Sequence, residues 1–174
     1  MSNLVAVTVV GVDRPGIVAT ISKVLFELGC NLEDVSSTIL RGHFSMMLLV
    51  HAPDNTAPEV LEGELSNAAG ELGLVVTVRP VEETRAEVSA PSHMVSVYGA
   101  DKPGIVAAVA EALAKAGANI TDLTSRVIGD DSAPVYAVML EVSFPEGSNP
   151  DAVLALHDEL DVEVSVHPVE ADVL

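Results

Sequence analysis

The chain reads as an α+β protein: two ferredoxin-like βαββαβ units in tandem, each an antiparallel sheet with its helices on one face. Three observations predict this. The stretch Asp13-Arg14-Pro15-Gly16-Ile17-Val18-Ala19 returns 88 positions later as Asp101-Lys102-Pro103-Gly104-Ile105-Val106-Ala107, with only the cation changed. In both copies a β-branched run leads in and an apolar stripe at helical spacing leads out. A short hairpin link joins only the middle strands of each copy, while helical runs join the others, which puts both helices on one face.

The repeat divides the 174 residues into a first domain at 1–82, a linker at 83–92 and a second domain at 93–174. Domains this small have thin cores, so the two are expected to pack on each other or on a second chain. Aromatic residues are 3% of the chain and tryptophan is absent, so Val, Ile, Leu and Ala must build the core.

In the first copy, Leu4 to Gly11 is dense in valine and reads as a strand buried on both faces. Pro15 to Leu28 places Ile17, Val18, Ile21, Val24, Leu25 and Leu28 on one helical stripe, closed by Gly29. Asn31 opens a second strand to Leu40, Arg41-Gly42 turns the chain, and Phe44 to His51 returns it. Val60, Leu61, Leu65, Ala68, Ala69 and Leu72 mark a second helix ended by Gly73, and Leu74 to Val81 is the fourth strand. The second copy follows the same plan: strand 93–99, helix 103–116 with Gly117 as its cap, and strand 119–128. A longer hairpin at 129–134 leads to strand 135–143, a short helix 151–160 and strand 162–169.

The repeated corner has a physical purpose. Proline suits the first turn of a helix, where its missing N–H costs nothing. Aspartate just before it can cap the free amides. The following glycine carries no side chain to cover them, leaving an electropositive helix end suited to a carboxylate. The alternative is that Asp-x-Pro-Gly is only a good strand-to-helix corner, and two copies in matching context favour a paired ligand site.

With 26 acidic against 8 basic residues the formal charge is −18, which opposes the phosphate backbone of nucleic acid. The lone Cys30 fits a reducing compartment and reads as a small apolar residue, Ala118 being its counterpart. No signal peptide or membrane-length run is visible, so a cytoplasmic protein with no membrane partner is expected. Histidines 43, 51, 93, 157 and 167 lack metal-ligand spacing, and there is no nucleophile elbow, phosphate loop or dinucleotide fingerprint. No catalytic residue, metal or cofactor is expected, and the chain does not read as an enzyme.

Two βαββαβ units, each with Asp-Arg/Lys-Pro-Gly-Ile-Val-Ala before its first helix and Gly-x-Asn-Ile/Leu-x-Asp after it, resemble ACT domains. The tandem pair resembles the glycine cleavage system transcriptional repressor-like family. The resemblance implies that an amino acid or related small molecule binds near the first strand–helix loop, often at an interface between two domains. It implicates Asp13, Arg14, Gly16, Ile17 and Asn31 in the first copy, and Asp101, Lys102, Gly104, Ile105 and Asn119 in the second. Amides at Gly16 and Ile17 could hold a carboxylate, and Asn31 could bond ligand polar groups. Asp13 could pair with an ammonium group, though capping its own helix is the expected role. Valine in place of Gly16 or Gly104 is expected to disturb a ligand more than the fold.

The implied function is a ligand-sensing regulatory protein, a homodimer that acts through a protein partner and not by direct DNA binding. The alternative is a regulatory subunit of a separately encoded amino-acid metabolic enzyme. A structural pair with a relic site is the third possibility.

Overall fold

The computed structural model describes residues 3–82, 90–129 and 134–169. Residues 83–89 of the expected linker and 130–133 of the longer hairpin lie outside the described residues. The chain divides into two compact units, Met1–Ala86 and Glu87–Leu174.

The first unit runs β1 (Leu4–Val12), α1 (Ile17–Glu27), β2 (Asn31–Leu40), β3 (His43–His51), α2 (Pro58–Gly70) and β4 (Val75–Pro80). The second runs β5 (His93–Gly99), α3 (Ile105–Lys115), β6 (Asn119–Ile128), β7 (Val135–Ser143), α4 (Asp151–Leu154), α5 (Leu156–Leu160) and β8 (Glu163–Pro168). The sheets have strand orders β2-β3-β1-β4 and β6-β7-β5-β8, antiparallel throughout. This is the βαββαβ arrangement that the sequence implied. The helix expected at 151–160 is instead two short pieces hinged at Ala155.

Each core lies between one sheet face and the helices. In the first unit Val5, Val7 and Val9 of β1 meet Met46, Leu48 and Val50 of β3 beneath Ile17, Ile21, Leu25, Leu61 and Leu65. In the second, Val95, Val97, Val138, Leu140 and Val142 lie beneath Ile105, Val109 and Leu113. β1 is not buried on both faces as its valine density suggested. Its residues alternate, and Val10 and Val12 are exposed, because helices cover only one face of the sheet. The helical stripes are also narrower than expected, with Val18 and Val60 exposed. Cys30 is half-buried and packs against the first core.

The edge strand β2 is exposed along all ten of its residues, including Leu32, Val35, Ile39 and Leu40. Both β2 and its counterpart β6 carry a bulge just after the asparagine, at Leu32/Asp34 and Ile120/Asp122. In the first domain this bulge residue, Glu33, meets His51 Nε2 at 2.8 Å.

Candidate functional site

The corner leaves β1 and enters α1 by a route that requires glycine. Gly16 is the N-cap of α1 with φ 96°, and Gly104 is the N-cap of α3 with φ 99°. L-residues avoid that region because Cβ crowds the following carbonyl. Helical geometry therefore begins at Ile17, and Pro15 stands in the turn ahead of the helix, not in its first turn as the sequence suggested. Thr20 N–H closes the first helical bond to Gly16 O at 2.9 Å, and Ala108 N–H closes the equivalent bond to Gly104 O. The amides of Ile17, Val18 and Ala19 precede that bond and have no side-chain cap, so the helix end is electropositive and open.

Asp13 does not cap this helix. Its backbone N–H donates to Gly42 O at 2.8 Å, tying the corner to the β2–β3 hairpin. Its carboxylate is exposed and has no partner among the described residues, and the same is true of Asp101. The reason is geometric: the extra turn made by Pro15 and Gly16 separates the aspartate from the first helical amides. Ile17 and Ile105 are 1% and 3% exposed, so their side chains belong to the cores and only their backbone can face a ligand.

The two cations differ. Arg14 is exposed and unpaired among the described residues, whereas Lys102 Nζ lies 3.8 Å from Asp161 Oδ2. Asp161 carries φ 54° in the turn before β8, where the first domain has Gly73. That ion pair is largely exposed, so it orients Lys102 more than it stabilises the fold.

At the second corner, residues 101–107 and Tyr136 line an open cleft of about 510 Å³, within the size range of small-molecule sites. Tyr136 was not foreseen. It lies opposite Gly99 across β5–β7, as Phe44 lies opposite Gly11 across β1–β3. Phe44 is buried, while Tyr136 is half-buried with a hydroxyl unpartnered among the described residues. The longer second hairpin hides this correspondence, because the copies fall out of step there. Matching them by strand pairing outward from the hairpin would have found it.

The asparagines sit elsewhere. Asn31 opens β2 opposite His51, and Asn119 opens β6 opposite Ser143. The corner stands at the other end of the sheet, beside the pair Val12–His43 and bonded to Gly42. At about 3.3 Å per residue the length of β2 separates them by roughly 30 Å. The structure thus assembles Asp13, Arg14, Gly16 and Ile17 but does not bring Asn31 to them within one domain. The same holds for Asn119 and the second corner.

Among the described residues there is no group of three or more His, Cys, Asp or Glu side chains that could hold a metal ion, and no helix is long and apolar enough to cross a membrane.

The ACT domain pattern matches residues 3–79 and again residues 93–161. The glycine cleavage system transcriptional repressor of Escherichia coli is 26% identical over 173 residues, covering 96% of this chain and 90% of that protein. A phosphoserine phosphatase of Mycobacterium tuberculosis is 29% identical over 145 residues, which is 82% of this chain but only 34% of the phosphatase. A solved structure of a protein of unknown function from Galdieria sulphuraria superposes with a TM-score of 0.79 at 28% identity, over 97% of this chain and 99% of that one. Matched in both halves, the chain belongs to the ACT-domain family as a tandem pair of ACT domains.

Proposed function

We propose that this protein is an amino-acid-binding regulator, similar to the glycine cleavage repressor, that reports ligand occupancy through contacts with another protein. One observation carries the reading: a strand–helix corner with uncapped, unspent amides, opening in the second domain on a cleft of ligand size. The amides at Gly104 and Ile105 receive the α-carboxylate, Asp101 receives the ammonium group, and Lys102 and Tyr136 flank the remainder. Asp13, Arg14, Gly16 and Ile17 act in the same way in the first domain.

Asn31 and Asn119 join such a site from a second copy of the chain. An edge strand laid antiparallel beside β2 or β6 carries its asparagine end toward the hairpin end that holds the corner, and the ligand is enclosed at a homodimer interface. The exposed apolar residues of β2, among them Val35 and Ile39, supply the surface for that pairing. The charge of −18 supports action through a protein partner, because direct contact with DNA would be repulsive.

Calorimetry of the full chain against the common amino acids tests this. A ligand is expected whose affinity falls about tenfold in Asn119→Ala, a loss of about 1.4 kcal/mol. Absence of heat for every amino acid, with wild-type protein folded by circular dichroism, would refute it. A second reading, regulation of an amino-acid metabolic enzyme, is favoured by the similarity to part of a phosphoserine phosphatase. Affinity capture that recovers an enzyme in place of a transcription factor, released or retained by the same ligand, would select it.

A further inference from the structure

A four-stranded sheet has two rims, and in the first domain the rim opposite β2 is β4. Unpaired N–H and C=O groups along a rim are a template for another strand. The segment Leu74-Val75-Val76-Thr77-Val78 is apolar, largely β-branched and uncharged until Arg79, the composition of segments that pair with copies of themselves.

In the folded chain one of its outward donors is already spent. Val78 faces Val7 on β1, and its N–H is taken by a side chain: it donates to Glu62 Oε2 at 2.8 Å, in a partly buried bond. Glu62 lies in the second turn of α2, the helix that packs along β4. A carboxylate on a backbone donor makes a stronger bond than a carbonyl does. Two residues further on, Pro80 has no N–H to offer. A strand arriving at β4 would have to strip Glu62 from Val78 and then hold its own carbonyl oxygens against the displaced carboxylate. The equivalent rim of the second domain, β8, ends in Pro168 at the position that matches Pro80, and differs from β4 at its start. There β8 reads Glu163-Val164-Ser165-Val166-His167-Pro168, with polar residues of its own.

We infer that Glu62 guards the β4 rim, keeping it from pairing with β4 of a second copy of this chain. The test uses the full-length protein. In Glu62→Ala, exchange of the Val78 amide should accelerate at least tenfold, and sedimentation should show species larger than wild type that grow with concentration. Glu62→Gln keeps an acceptor oxygen but loses the charge, so both measurements should fall between wild type and Glu62→Ala. Adding Thr77→Lys, at an exposed position of β4, to Glu62→Ala should restore the wild-type distribution. Folded Glu62→Ala that sediments as wild type, or larger species that survive Thr77→Lys, would overturn the inference. Should Glu62→Ala fail to fold, wild type decides: Val78 must exchange at least tenfold more slowly than Val76, which points the same way two residues earlier, and equal protection would overturn it.

Discussion

Replacing Gly104 by alanine separates backbone strain from every other effect at the corner. A Cβ built on Gly104 meets nothing within 4 Å, so no packing is disturbed, but the residue is held at φ 99°. An L-residue at such an angle costs about 1–3 kcal/mol. Alanine also reduces the freedom of the unfolded chain, which offsets about 0.4–1 kcal/mol. The middle of these ranges gives a net loss of about 1.3 kcal/mol. Both tyrosines, Tyr98 and Tyr136, lie in the second domain and the chain has no tryptophan. Tyrosine fluorescence during urea unfolding thus reports on that domain alone. With a slope of about 1 kcal/mol per molar urea, the midpoint should fall by about 1.3 M. Gly104→Asn, which tolerates positive φ better, should fall less. A shift under about 0.3 M in the alanine variant would mean that the turn relaxes to negative φ, and that the observed conformation is not what keeps the amides open. The same strain applies to valine at Gly16 or Gly104, and more severely, because valine is β-branched. Valine there was expected to disturb a ligand more than the fold, and the positive φ adds that the fold itself is strained as well.

Further outcomes follow from local packing. Gly99→Ala brings a Cβ to 2.7 Å from Val162 Cγ1; overpacking of this kind costs about 1–3 kcal/mol, measurable by the same tyrosine signal. Lys102→Ala should change stability by less than about 1 kcal/mol, since its 3.8 Å ion pair is exposed, and a larger loss in urea unfolding would show that the pair braces the corner. Burial pushes the Cys30 thiol above its ordinary value, so at neutral pH its alkylation should be slower than in urea-unfolded protein. Stability from this group is intact below the unfolded thiol's pKa and is lost as pH rises from there through the folded value; equal alkylation rates in both states would contradict the burial.

The sequence alone determined the order of elements, the two-domain division of the repeat and the identity of the corner. Those features are local: β-branched runs, the helical spacing of Ile17, Ile21 and Leu25, and turn residues such as Gly29 and Arg41-Gly42 carry them within a few residues. Tertiary structure decided what depends on neighbours. The valines of β1 are equally apolar, yet only those beneath α1 and α2 are buried, because the sheet has helices on one side. Gly16 looked like a gap left for a ligand, and the fold shows it also to be a turn at φ 96° that moves Pro15 and Asp13 off the helix. Tyr136 entered the second corner through strand register across a hairpin of altered length. Asn31 and the corner are near in sequence, at the two ends of α1, but α1 carries the chain back along the sheet, so that Asn31 enters β2 opposite His51 while the corner stands at the hairpin end. Proximity along the chain reflects only the length of one helix, while separation in space is set by hydrogen-bonded pairing among strands distant in sequence.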